Sequence, residues 1–383
     1  MRRLVVVLVI TTGLVCAAEL AARLILWRYN NPYDAILQPQ YQIFRGIEQR
    51  GTEGDFPPND RSIWLSWTMR PYTVTTNSGG LRNLQDTRQD AFRILAVGDS
   101  FTFGAFVGDH DTWPFWLESI LMKHAAELGD ERVYQVLNAG VGGYTISDEL
   151  AYMNDKGFAL RPDLVILGFT PNDIAGLNAS LLATYGRPAT FADSRADHSL
   201  IPDSLQEQSA LLNLFQILRF QIVLRGQIRP AEDYPYSKVR ESEEKFYELA
   251  RQDPSAEQRY REDFQRFADA MRSRGIDWIV VAFPFMSQLA FDAPRDKFSY
   301  PQQIVEELAR ANDVPFLNLL PIYQAVGDPE ALYLAAYDPL IGEYMGDTHP
   351  SRYGNRVAAQ AIFRMLTTKG LIPLAQGVQS GDS

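Results

Sequence analysis

An α/β fold, built on a mainly parallel five-stranded sheet with helices on both faces, is what this 383-residue sequence predicts, on three observations. Short apolar runs recur at Ile94–Val97, Val133–Leu137, Leu164–Phe169, Trp278–Phe283 and Pro315–Leu319. Amphipathic stretches with helical spacing lie between and after them, at Trp113–Leu128, Ser147–Lys156, Ala256–Arg274, Pro301–Asn312 and Asn355–Thr367. The first run stops abruptly at Gly98-Asp99-Ser100, a turn signal. Unbroken apolar runs are the pattern of strands buried on both faces. Their alternation with helices, joined by right-handed crossovers, gives a parallel sheet between helical layers.

Composition narrows the function classes. With 46% hydrophobic residues the chain can bury a full core, and its net charge of -11 would repel nucleic-acid phosphates. No Lys/Arg cluster is long enough to reverse that. Cys16 is the only cysteine, which excludes intramolecular disulfides and thiolate metal sites. The histidines, His110, His124, His198 and His349, include no i, i+4 pair of the zinc-helix type. No cofactor or metal is expected.

At the start, Arg2 and Arg3 precede an apolar run from Leu4 to Ala18, and Leu20 to Trp27 extends it past Glu19. Residues 1–28 therefore read as an export signal, an uncleaved single-pass anchor in preference to a cleaved signal peptide. The rest of the chain would then lie outside the cytoplasm, at the cell membrane. Residues 29–90 are rich in proline without a helical period and read as an extended lead-in packed on the main domain. Within it, Asn77-Ser-Gly-Gly-Leu81 reads as a surface turn. Residues 91–372 form the main domain, with an insertion at about 178–254, and residues 373–383 a disordered tail. In the insertion, Leu211, Leu212, Phe215, Leu218, Ile222 and Val223 share a helical face, which suits core packing better than a lid or a membrane-facing helix.

Four loops at strand ends and before the last helix carry chemistry-bearing residues: Gly98-Asp-Ser-Phe101, Asn138-Ala-Gly-Val-Gly-Gly143, Thr170-Pro-Asn-Asp173 and Gly346-Asp-Thr-His-Pro350. Each has a plain structural reading. Gly-Asp-Ser is a common turn, glycines serve any sharp strand-to-helix corner, and Asn172 or Asp347 could cap a helix. Their joint order along a parallel sheet is what points to a site, because such sheets bind ligands at the carboxyl ends of their strands.

The four blocks resemble those of the SGNH, or GDSL-type, hydrolase superfamily, over roughly residues 91–371. The resemblance implies a three-layer, flavodoxin-like α/β/α sandwich and a serine hydrolase acting on ester bonds. It implies that Ser100 is the nucleophile, His349 the base and Asp347 the carboxylate that orients it. Many members place that carboxylate one position earlier, where this chain has Gly346; subgroups resembling membrane-anchored or polysaccharide-acetylation proteins use the spacing seen here. The oxyanion donors it implies are the amides of Ser100 and Gly143 and the side chain of Asn172, with Gly140 and Gly142 as competitors for the glycine role.

The residues make sense on chemical grounds too. A serine hydroxyl is a poor nucleophile without an adjacent base, and histidine titrates near working pH. A tetrahedral oxyanion needs preorganised donors. Asp99 and Asp173 read as supports that hold Ser100 and Asn172 through loop hydrogen bonds, in preference to metal ligands. His110 reads as a solvated loop histidine, while Trp113, Trp116, Phe169 and Phe283 suit either a substrate pocket or the core. The function expected is hydrolysis of O-acyl esters, O-acetyl among them, of carbohydrate or lipid through an acyl-enzyme. An O-acyltransferase using the same residues and a non-catalytic envelope glycan-binding module are the rivals.

Overall fold

The computed structural model describes residues 2–28, 56, 58–65, 71–177, 209–212, 215, 243, 247–248, 251–289, 299–334, 336–338, 343–345 and 349–373. Most of the expected insertion, nearly all of the tail and Asp347 lie outside the described residues.

Its centre is a five-stranded parallel sheet made of β3 (Ala91–Gly98), β4 (Val133–Asn138), β5 (Leu164–Phe169), β6 (Asp277–Ala282) and β7 (Phe316–Asn318). The strand order is β4-β3-β5-β6-β7, the doubly wound arrangement that switches direction between the first and third strands. Each lies within three residues of the apolar run that predicts it. The helices sort to the two faces according to the alternation of strand side chains. Leu95, Val97, Val165, Leu167 and Val280 face α4 (Ile146–Asp155), α6 (Pro254–Arg274) and α7 (Tyr300–Ala311). Ile94, Ala96, Ile166, Ile279 and Val281 face α3 (Trp113–Glu127) and α10 (Arg352–Thr368). Both sets are buried, so the sandwich has three layers and two cores. Trp113, Phe169 and Phe283 belong to these cores and are fully buried, which settles their role as packing.

Four short helices follow strand ends or lead into α10: α2 (Ser100–Phe103), α5 (Asn172–Ala175), α8 (Leu320–Val326) and α9 (Pro329–Leu332); α1 (Arg2–Arg28) is the N-terminal helix. Two antiparallel pairs lie outside the sheet: β1 (Arg61–Leu65) with β2 (Pro71–Thr75), and β8 (Ala336–Asp338) with β9 (Glu343–Met345). The first pair is not visible in the proline-rich sequence. Pro71 is tolerated because it opens its strand, where a missing donor matters least.

The Asn77–Leu81 turn is present, and Asn77 Oδ1 accepts from the amides of Gly79 and Leu81 at 2.9 and 3.1 Å. It is not a surface feature throughout: Asn77 and Leu81 are buried, and the turn delivers Arg82 into the interior. The Arg82 guanidinium donates to the carbonyls of Phe103, Gly104 and Val107 at 2.8, 2.6 and 2.6 Å. It also lies 3.7 Å from Asp109, which in turn accepts from Thr75. The first two carbonyls lie at the end of the short helix α2 and the third in the loop after it, so Arg82 ties both together.

The expected membrane-spanning anchor finds no support in the fold. Among the described residues no helix is long and apolar enough to cross a membrane. Within α1, Glu19 is ion-paired with Arg23 at 2.8 Å. Glu19 also accepts from Ser209 Oγ and the amides of Ala210 and Leu211, polar bonds to another part of the protein.

Replacing Arg82 by methionine keeps bulk but removes every one of these donors. We expect a loss of about 3–5 kcal/mol, the usual effect of breaking a buried pair. Chemical denaturation of Arg82→Met against the wild type measures it; an unchanged midpoint would remove Arg82 from this structural role.

Candidate active site

The parallel register sets two strand ends side by side, with Gly98 of β3 opposite Gly168 of β5. A Cβ at either glycine would fall 2.2 or 2.4 Å from Thr102 Oγ1, so only glycine lets α2 fold back over the strand ends. Asp99 caps α2 by accepting from the Phe101 amide at 2.9 Å. Ser100 is therefore the first helical residue, where the helix's own ladder does not use the amide.

From the far end of the chain, His349 reaches the same rim. Its Nε2 lies 2.7 Å from Ser100 Oγ, a hydrogen bond between residues 249 positions apart. The imidazole packs against the rings of Phe101 and Phe106, with centroids 5.1 and 5.2 Å away. Its loop is fixed on both sides. The His349 carbonyl accepts from Leu334, Ser351 binds the carbonyls of Leu332 and Ala331, and Tyr333 bridges to Pro350. Ser351 then caps α10. Phe106 holds a left-handed backbone at φ 65°, unusual for an aromatic residue, and sequence gives no sign of it.

The third loop supplies Asn172. Its Nδ2 donates to Asp99 Oδ2 at 3.1 Å, and Thr170 Oγ1 bonds both Asp99 Oδ2, at 2.8 Å, and Asn172 Oδ1. An amide nitrogen carries two protons, so the bond to Asp99 orients Asn172 and leaves it a second donor. Asp173 accepts from the Thr170 amide at 3.1 Å and closes the turn. Asp99 and Asp173 are both buried, 1% exposed, as supports inside the protein. Burial pushes the Asp99 carboxyl up, against the downward pull of the Phe101, Asn172 and Thr170 hydrogen bonds and of His349.

The second loop crosses close behind α2. A Cβ on Gly140 would sit 2.2 Å from the Phe103 amide nitrogen, so this position admits only glycine. The Gly140 amide donates to Asn138 Oδ1 at 3.0 Å, which commits it within the loop. Gly143 adopts φ 77°. Ser100, Gly143, Asn172 and His349 are half-buried, consistent with a rim open to solvent, whereas their supports are buried.

Other residues singled out in the sequence fall elsewhere. His110 is exposed beside Phe115, with ring centroids 4.8 Å apart. Trp116 is half-buried between the guanidiniums of Arg352 and Arg356. Among the described residues no group of three or more His, Cys, Asp or Glu side chains is arranged to hold a metal ion. Arg82, Thr170 and Phe106 support the site without having been picked out as supports in sequence. Thr170 was within reach, since it stands in the same block as Asn172.

A doubly wound sheet with a serine–histidine contact at its switch point defines the class: an α/β serine hydrolase. Residues 96–357 match the model of the GDSL-like lipase/acylhydrolase family, and the chain belongs to that family, whose members are serine hydrolases acting on ester bonds. Solved structures resemble it distantly. An acetylxylan esterase from Geobacillus stearothermophilus is 14% identical, with 76% of this chain and 100% of that one covered and a TM-score of 0.43. A lipase/acylhydrolase from Enterococcus faecalis is 16% identical, with 74% and 98% covered and a TM-score of 0.40. A G-D-S-L family lipolytic protein from Desulfitobacterium hafniense is 13% identical, with 72% and 99% covered and a TM-score of 0.36. The family assignment rests on the model match and not on these likenesses. No curated protein sequence matches the chain.

The Gly140 contact gives a direct test of how the loops are packed. Gly140→Ala must push the second loop away from α2, and overpacking of this kind costs about 1–3 kcal/mol. A thermal melt equal to that of the wild type would show that the two loops do not meet as described.

Proposed function

We propose that the protein is a serine esterase that hydrolyses O-acyl esters of carbohydrate or lipid through an acyl-enzyme. The observation that carries the reading is the 2.7 Å approach of His349 Nε2 to Ser100 Oγ. In the proposed sequence His349 takes the Ser100 proton as the hydroxyl attacks the ester carbonyl. The Ser100 amide, the Gly143 amide and Asn172 Nδ2 receive the negative charge on the carbonyl oxygen. Collapse of the intermediate expels the alcohol, which regains the proton from the imidazolium. Water, deprotonated by His349, then releases the acid from Ser100. Asp347, two positions before His349, is the candidate to hold the imidazole in its reactive tautomer.

What favours an O-acetyl group on a glycan over other esters is the family's range, a fold-level analogy. The same residues with a sugar hydroxyl in place of water would give acyl transfer. The extracytoplasmic location rests on the N-terminal sequence alone, with Arg2 and Arg3 ahead of the apolar run. The division into a lead-in at 29–90 and a catalytic domain at 91–372 is part of the same proposal.

A short p-nitrophenyl ester tests the chemistry. Ser100→Ala should lose at least about 10³-fold in kcat while melting as the wild type does. Asn172→Ala should lose about 10²–10³ in kcat with little change in KM, the signature of a donor used in the transition state. Turnover retained in Ser100→Ala would move the nucleophile elsewhere, and an unchanged kcat in Asn172→Ala would remove it from the oxyanion site.

A further inference from the structure

Asn355 sits in the first turn of α10, 1% exposed and so sealed from any substrate. Both ends of its amide are bonded inside the protein. Nδ2 donates to the carbonyls of Pro350 and Ser351, each at 3.0 Å. Oδ1 accepts from the backbone amide of Trp113 at 3.1 Å, across 242 positions of sequence. The Ser351 bond is local to the helix turn. The other two reach further: they tie the residue next to His349 to the first amide of α3, a donor that the ladder of that helix leaves unused.

The Trp113 amide is itself fixed relative to the nucleophile. The connection from α2 to α3 doubles back on itself, so that a Cβ on Gly104 would lie 2.5 Å from Thr112 Cγ2. The Gly104 and Ala105 amides both donate to the Ser100 carbonyl, at 2.9 and 3.0 Å. Arg82 holds the carbonyls of Gly104 and Val107 in the same stretch. Ser100 and Trp113 thus belong to one tightly packed corner, and Asn355 fastens the histidine loop to it. A second contact joins α10 to this corner, the ion pair of Arg352 with Asp111 at 3.0 Å. Its arginine side chain is 70% exposed, and surface pairs of that kind contribute little. Breaking the buried amide bridge matters more, because it leaves a backbone donor and a backbone acceptor inside the protein without their partner.

We propose that Asn355 is a positioning residue for His349: its amide bridges the nucleophile corner and the histidine loop, and so sets the distance between His349 Nε2 and Ser100 Oγ. The Ser100–His349 hydrogen bond and the Asn355 bridge join the same two segments at two points. Without the bridge, Pro350 is released and the imidazole beside it shifts from the hydroxyl. A misplacement of about 1 Å at a reacting group costs about 10²-fold in rate. The Leu334, Tyr333 and Ser351 contacts stay in place and limit the shift, so the expected loss is smaller than that. The proposal rests on the esterase reading.

A double-variant comparison on the full chain tests whether Asn355 acts through His349. On the p-nitrophenyl ester, Asn355→Ala should lower kcat about tenfold with KM within about twofold of the wild type. The rate at which a fluorophosphonate labels Ser100 should fall by the same factor. In a His349→Gln background, adding Asn355→Ala should slow labelling by less than about a further twofold, because the group it positions is gone. A residue needed only for general packing would slow both backgrounds alike. Asn355→Ser keeps a small polar side chain in the first turn but is too short to reach Trp113, and it should behave as the alanine variant does. Unchanged kcat in both variants, a loss carried by KM in place of kcat, or equal slowing in the two backgrounds overturns the positioning role. So does failure of both variants to fold, which would assign Asn355 to the fold alone. A wild type that neither turns over the ester nor labels at Ser100 defeats the esterase reading instead, and this proposal with it.

Discussion

A single hydrogen bond, between the hydroxyl of Ser100 and the imidazole of His349, depends on nearly every other feature of this protein. Parallel strands bring their carboxyl ends to one edge, so loops far apart in sequence open onto the same rim. The nucleophile loop is fixed first, by β3 within the sheet and by Arg82 below α2. The histidine loop is fixed separately, through Tyr333, Leu334 and the cap of α10. Each loop has its own anchors, and where they meet at bonding distance Phe101 and Phe106 pack against the imidazole. That is the preorganisation a serine nucleophile needs, since geometry and not chain proximity must supply its base.

The site is layered by burial. Groups that would touch substrate are half-buried, while the groups that orient them, Asp99, Thr170 and Asp173, are sealed inside. Low dielectric strengthens the hydrogen bonds within that inner layer, and it also raises the cost of leaving any carboxylate charged there. Both effects act on Asp99, whose charge is opposed by burial yet supported by three hydrogen bonds. Glu149, buried in α4, has no such bonds, and burial pushes its carboxyl well above the ordinary range.

Much of this was legible in the sequence, for reasons that differ by element. Buried parallel strands such as Leu164–Phe169 announce themselves as unbroken apolar runs, and the helices that cover them show an apolar face. Ser100 and Asn172 were readable because their turns close strands of the parallel sheet, and His349 because its Gly-Asp-Thr-His-Pro turn stands before the last helix. Arg82 was not, because an arginine after a Gly-Gly turn looks solvated; only the buried carbonyls at the end of α2 explain its place. Glu149 was hidden by a local pattern, since acidic residues in a helix's first turn usually serve the capping and dipole that Asp148 serves here. The β1–β2 pair was hidden by prolines.

The most direct measurement is covalent labelling of the intact protein with a fluorophosphonate, followed by mapping the adduct by mass spectrometry. The account predicts one adduct, on Ser100, absent in Ser100→Ala and strongly slowed when His349 is replaced by glutamine. An adduct on another residue, or labelling of Ser100 at the same rate without the imidazole, would contradict it.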